Sequence, residues 1–202
     1  MGRPSSARCE RCKQPLPAPA ATGRPRRFCS DSCRVIASRK RSRSRAHRDA
    51  WWTPAHIRER VHAEWELVLD AAACETSTLV PDSWLGPRHD DLDRRDALAY
   101  DSWEHLTVDG GTRRPPAIWL NPPYFPTSVM AAFLQRAAAT RDAGLTVVAL
   151  IPASVGAHWW HDNVLDLGGE VETLRGRLSF DGPHSSGGAA PWPSALVTFR
   201  AS

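Results

Sequence analysis

Ala117-Ile118-Trp119-Leu120 is a short apolar run that stops on two prolines, and no other stretch limits the fold as tightly. Bounded by turn signals, such a run reads as a short buried strand. Pro122 and Pro123 each lack a backbone N–H and hold φ fixed, so neither can extend a central strand. The chain must turn at Asn121-Pro122-Pro123-Tyr124. That tetrapeptide falls just past the carboxyl end of a strand, where open α/β sheets place their ligand crevices.

These residue types suit methylation of an exocyclic amine conjugated to a ring. The lone pair of such a nitrogen is delocalised, so the nitrogen is a poor nucleophile. Two acceptors aimed at its hydrogens localise the lone pair: the Asn121 side-chain oxygen and the Pro122 carbonyl, which proline geometry holds in one direction. Tyr124 offers an aromatic face on which a flipped base can stack. A Pro-rich surface turn after a strand is the other reading of the same four residues.

The rest of residues 49–202 supplies alternating elements. Thr53 is positioned to cap a helix with Pro54 at its first position, running to about Glu64 with Ile57, Val61 and Trp65 inward. Leu67 to Ala73 reads as a strand ending in Asp70 and small residues that let a ligand approach the backbone. Asp70 can hold a hydroxyl or ammonium group, or else cap the next helix. Residues 75–95 are polar and acidic and read as a long loop or mobile insertion. Asp96, before Ala97-Leu98, can accept from an adenine amino group or be a plain surface acid. A helix is expected over Val129–Ala137, a buried strand over Leu145–Ile151, a helix from His158, and strands over Val171–Leu174 and Ala195–Phe199. Alternation of this kind gives an α/β domain with an open, mostly parallel sheet and a C-terminal antiparallel strand pair. The Gly-x-Gly-x-x-Gly fingerprint of nicotinamide dinucleotide sites is absent.

Charge divides the chain in two. Residues 1–48 carry 14 Lys and Arg against two acids, about +12, whereas residues 49–202 carry 12 Arg and 20 acids, about −8. A basic arm on an acidic body points to a polyanionic partner, with nucleic acid first. Within residues 1–48, Cys9-x-x-Cys12 and Cys29-x-x-x-Cys33 are two local pairs sixteen residues apart. Such pairs suit tetrahedral Zn²⁺, and a segment this small and polar needs a metal to fold. From Arg34 the chain becomes a basic run in which Arg34, Arg39, Lys40, Arg41 and Arg43 are candidate phosphate contacts; a flexible linker is the alternative. No apolar run is long enough to span a membrane and no signal peptide precedes the module, so a cytoplasmic protein is expected.

Seven blocks occur in one order: Trp52-Thr53-Pro54, Leu69 to Ala73, Asp96-Ala97-Leu98, Trp119 to Tyr124, Ala149 to Pro152, Leu174 to Phe180, and Ala190 to Val197. Over about residues 51–200 this set resembles the phage-type, Dam-like DNA N6-adenine methyltransferases. The resemblance implies a Rossmann-like fold dependent on S-adenosylmethionine, acting on double-stranded DNA in a bacterial or phage-infected cell. Trp52, Thr53 and Pro54 would line the donor site. Asp70, with Ala71 and Asn121 nearby, would lie at the donor's amino-acid end and Asp96 near its adenine. Asn121, Pro122, Pro123 and Tyr124 would hold the flipped target adenine, and Arg175 and Arg177 would contact DNA. Ala71-Ala72-Ala73-Cys74 stands where wider methyltransferases carry a Gly-rich loop. Competing readings keep the fold but act on RNA adenine or a glutamine amide, or make the chain a non-catalytic, zinc-dependent DNA-binding protein.

Overall fold

The structure, a computed structural model, describes residues 7–16, 26–34, 52–108, 113–182 and 188–202. The chain forms two compact units, Met1–Arg48 and Asp49–Ser202. In the first, a bridge joins Arg8 to Pro15 and a single helical turn covers 31–34. The expected basic contacts Arg39, Lys40, Arg41 and Arg43 lie outside the described residues.

The second unit is an α/β layer structure on a mixed five-stranded sheet, compatible with a methyltransferase fold. The strands are β1 (Glu66–Asp70), β2 (Pro116–Leu120), β3 (Thr146–Pro152), β4 (Glu170–Thr173) and β5 (Ser194–Phe199), in the order β1-β2-β3-β5-β4. β1, β2 and β3 are mutually parallel, and β5 runs antiparallel to both β3 and β4. Four strands therefore share a direction and β5 alone opposes it. β3 is buried along its whole length and β2 beyond its first residue, as near-continuous apolar runs covered on both faces must be.

Helix α1 (Ala55–Glu64) buries Ile57 and Val61, with Trp65 buried just beyond it. Pro54 is its N-cap and no side chain caps it, so Thr53 does not play the capping part its sequence position suggests. The Thr53 hydroxyl is engaged with Asn121 instead. Helix α2 (Thr127–Asp142) lays Met130, Phe133, Leu134, Ala137 and Ala138 into the core. Helix α3 (His158–Trp160) continues as a π-helical turn over His161–Leu165, burying Trp160, Asn163 and Val164.

Residues 75–95 form a long loop, as expected, but with its flanks (71–108) this loop is packed against the domain rather than a loose insertion. Leu79, Val80, Trp84 and Leu85 are buried in it, and a parallel bridge joins Trp84 to Asp70. Asp70 N–H donates to Ser83, Leu85 N–H to Asp70, and Ala73 N–H to Leu85. The segment thus satisfies the outer edge of β1 at its carboxyl end, an edge that would otherwise expose unpaired backbone groups. Farther on, Trp103 is fully buried, donating its indole N–H to the Ala97 carbonyl and its backbone N–H to the Thr140 hydroxyl of α2. Among the described residues, no helix is long and apolar enough to cross a membrane.

Candidate active site and metal centre

The carboxyl ends of β1, β2 and β3 lie along one edge of the sheet because those strands are parallel. Asp70 is in register with Trp119, two residues before Asn121, and Leu120 is in register with Ala149, one residue before Leu150. The residues that leave these strands meet there. Asn121 sits just past β2, where the prolines prevent further pairing. Pro122 is buried and Pro123 half-buried.

Three side chains and one carbonyl form a connected polar group at this edge. The Tyr124 hydroxyl lies 3.0 Å from Asn121 Oδ1 and 3.2 Å from the Leu150 carbonyl, and can donate to either. Asn121 Nδ2 donates to Thr53 Oγ1 at 3.4 Å. Tyr124 is only 6% exposed, and burial raises its phenol above the ordinary range, so it stays protonated and able to donate. Its ring is met edge-on by Phe180 and Trp192, each at 6.2 Å. Phe125, the next residue, is 39% exposed and packs edge-on against Trp192 at 5.7 Å.

Thr53 reaches Asn121 because the chain before α1 is tied down. Trp52 and Asp181 exchange both backbone hydrogen bonds, at 3.0 and 3.1 Å. Ala190 N–H donates to the Leu178 carbonyl, closing the stretch that carries Phe180. Trp52 is half-buried, and Thr53 and Pro54 are buried.

Asp70 is buried beside this group. Its carboxylate accepts from the backbone N–H groups of Leu79 at 2.9 Å and Ala72 at 3.3 Å. Burial outweighs those bonds and pushes the carboxyl up to about 7. Ala71 is also buried, its N–H donating to the Trp119 carbonyl. Asp96 is placed differently. It is exposed, and its side chain accepts from the Leu98 N–H. Arg175 and Arg177 are exposed on either side of Gly176, whose φ of +78° turns the chain after β4. Neither arginine forms an ion pair among the described residues. Thr173 at the end of β4 faces Ala195, and Ser194 faces Pro152 at the end of β3, so this arginine turn leaves the same edge of the sheet as Asn121.

Sequence reasoning assigned no part to Phe180, Trp192, Asp181 or the Leu150 carbonyl. The blocks containing the first two were visible, but their approach to Tyr124 depends on β5 folding back beside β3.

In the first unit the four cysteines converge. One ligand atom from each of Cys9, Cys12, Cys29 and Cys33 lies within 4.8 Å of the others. The sulfurs of Cys12 and Cys29 are 3.4 Å apart and those of Cys29 and Cys33 are 3.6 Å apart. Thiolates about 2.3 Å from one tetrahedral zinc ion stand about 3.8 Å from each other, so the cluster fits such an ion. The two halves are stitched by Glu10 and Arg27, which pair through two contacts of 2.6 and 2.8 Å. Backbone N–H groups led by that of Cys12 lower Cys9 to about 6. The Ser30 hydroxyl and Arg11 lower Cys33, while Cys12 and Cys33 push Cys29 up to about 12. Two of the four thiols are thus already biased toward the charged form a metal requires. Arg34, beside Cys33, is exposed and pairs with Asp31 at 3.2 Å.

No curated protein and no solved structure matches the chain significantly. A sequence model of the family described as DNA N-6-adenine-methyltransferase (Dam) matches residues 40–191, which include the whole edge from Trp52 to Phe180. With three quarters of its length matched, and with a polar group and a buried acid at the carboxyl ends of parallel strands, the chain belongs to the Dam family of DNA N-6-adenine methyltransferases.

Proposed function

We propose that this chain transfers a methyl group from S-adenosylmethionine to N6 of an adenine flipped out of double-stranded DNA. The observation that carries the reading is the Thr53–Asn121–Tyr124 group beside buried Asp70, at the carboxyl ends of adjacent strands. The residues suit the donor. Asp70 is a desolvated carboxyl that a cationic ammonium would relieve, and Ala71, Ala72 and Ala73 leave its backbone approachable. Trp52, Thr53 and Pro54 would border the donor, with Asp96 the candidate for its adenine. When bound, S-adenosylmethionine supplies an electrophilic methyl carbon on a sulfonium.

The chain's own residues then act on the target. The Asn121 oxygen and the Pro122 carbonyl accept from the two N6 hydrogens and localise the nitrogen lone pair. Pro123 fixes the turn, and Tyr124 provides the aromatic contact for the base. The nitrogen takes the methyl carbon as the carbon–sulfur bond breaks, and the methylated amine gives up a proton to solvent. Alignment and polarisation carry the catalysis, so no strong base is needed. The unit at Met1–Arg48 would hold a structural Zn²⁺ on its four cysteines. Arg34, Arg39, Lys40, Arg41 and Arg43 would contact phosphates, with Arg175 and Arg177 adding contacts from the second unit. The enzyme would work in the cytoplasm of a bacterial or phage-infected cell.

Labelled donor and duplex DNA, followed by mapping of methylated adenines, test the reading directly. Asn121→Ala should lower transfer at least about a hundredfold. Donor binding by calorimetry should stay near native. Undiminished methylation by that variant would sink the assignment.

A further inference from the structure

We propose that Val155 and Phe125 form an apolar rim that covers the bases left behind in the duplex when the target adenine flips out. The inference rests on the adenine-methylation reading and adds to it a contact that offsets the lost stacking.

Val155 stands at the tip of a tight turn. β3 ends at Pro152, and the chain reverses over Ser154–Ala157, closed by the Ala157 N–H donating to the Ser154 carbonyl at 2.9 Å. Glycine, proline and small polar residues dominate such tips. Here the tip is Val155-Gly156, and the valine is 57% exposed. A Cβ at Gly156 would meet nothing within 4 Å, so the tip projects into open space. The turn is held all the same. Ser154 N–H donates to the Pro152 carbonyl, and His161 Nε2 lies 3.1 Å from the Val155 carbonyl. A branched side chain is stiff, so little freedom is lost when a base packs on it.

Phe125 leaves the same edge of the sheet, four residues after Asn121. It keeps 39% exposure with Trp192 edge-on to its ring at 5.7 Å. Pro193, next to Trp192, accepts from the Ala153 N–H at 2.9 Å, which ties this part of the rim to the Val155 turn. A lone apolar side chain on a surface needs no explanation. These two share the edge that carries Asn121 and the exposed Arg175 and Arg177. A flipped base leaves its neighbours unstacked, and proteins that unstack DNA set apolar side chains against the opened base faces. Arginine contacts to phosphate cannot do this.

The full-length chain tests the rim on a duplex with one mapped target adenine, and on the same duplex with an abasic site opposite that adenine. An unpaired adenine leaves the stack at lower cost, so flipping no longer limits turnover there. Val155→Ser and Phe125→Ala should each lower kcat at saturating DNA about tenfold on the paired duplex. Opposite the abasic site, most of that loss should vanish. With 2-aminopurine at the target position, the fluorescence gain on binding should fall in both variants on the paired duplex. A native kcat for the double variant on the paired duplex overturns the proposal. So does an equal loss on the two duplexes, which would mark a part in the chemistry or in folding. Absence of methylation by the native chain on either duplex would defeat the adenine reading itself, before any variant is compared.

Discussion

At the scale of single residues, Asp70 is where solution pH acts most directly. Its carboxyl is buried and raised to about 7 from an ordinary value of 3.8. Between those values the unfolded chain releases a proton that the folded chain keeps. Stability from this group is therefore complete below about pH 4 and is lost as pH rises toward 7, at up to about 1.4 kcal/mol per pH unit. Above about pH 7 the folded state bears the full cost of a buried charge that two N–H groups only partly offset. Urea unfolding of the native chain should weaken across about pH 4 to 7, and Asp70→Asn should remove that part of the slope. Equal slopes in the two proteins would show that Asp70 is ionised in the folded state throughout. The same burial would let a bound ammonium group exert a large effect, since it would neutralise the charge where water cannot.

Among the elements, segment 71–108 decides how well Asp70 is held. Leu85 pairs back to Asp70 and to Ala73, and Gly86 follows it directly. A Cβ at Gly86 would stand 1.9 Å from the Ala73 carbonyl oxygen, which is backbone and cannot swing aside. Gly86→Ala must therefore part this segment from the end of β1. Overpacking of this kind costs about 1–3 kcal/mol, so the melting temperature should fall. Donor affinity should fall with it, because Leu79 N–H leaves the Asp70 carboxylate. Native donor affinity in this variant would separate the segment from the donor site. This is also where the sequence was least legible. β2 and β3 announce themselves as apolar runs because both faces are covered. Leu79, Val80, Trp84 and Leu85 are scattered through acidic and polar neighbours, with no period to reveal that they are buried. Their partner is the edge of β1, and no local pattern encodes it. Thr53 misled for a similar reason: it precedes a proline and a helix, as a cap would, yet its hydroxyl meets a residue 68 positions away. The turn at Asn121 past β2 and the convergence of the four cysteines were legible because both are written in adjacent or locally paired residues. The burial of Tyr124 was not, since Phe180 and Trp192 reach it only through the fold.

Across the whole molecule the charge division sets the terms of DNA binding. The second unit carries about −8 and is repelled by a phosphate backbone, whereas residues 1–48 carry about +12. In the proposed reading, attraction over distances of about a Debye length would come from residues 1–48. Arg175 and Arg177 would act at close range, on the edge that bears Asn121, and neither is spent on an ion pair among the described residues. The two groups should thus be separable by salt. Each phosphate contact adds about 0.9 to the slope of log affinity against log salt. Replacing Arg39, Lys40, Arg41 and Arg43 together by Ala should flatten the slope by about 3.6, with kcat at saturating DNA unchanged. Replacing Arg175 and Arg177 by Ala should flatten it by about 1.8 and also lower kcat, because these arginines would hold the duplex where the base must leave it. Filter binding between about 50 and 200 mM salt, with turnover measured on the same DNA, gives both readings (the range over which such contacts lose their affinity). An unchanged slope in the fourfold variant would remove the basic run from the DNA interface. The acidic domain would then have to capture its substrate through the arginine turn alone.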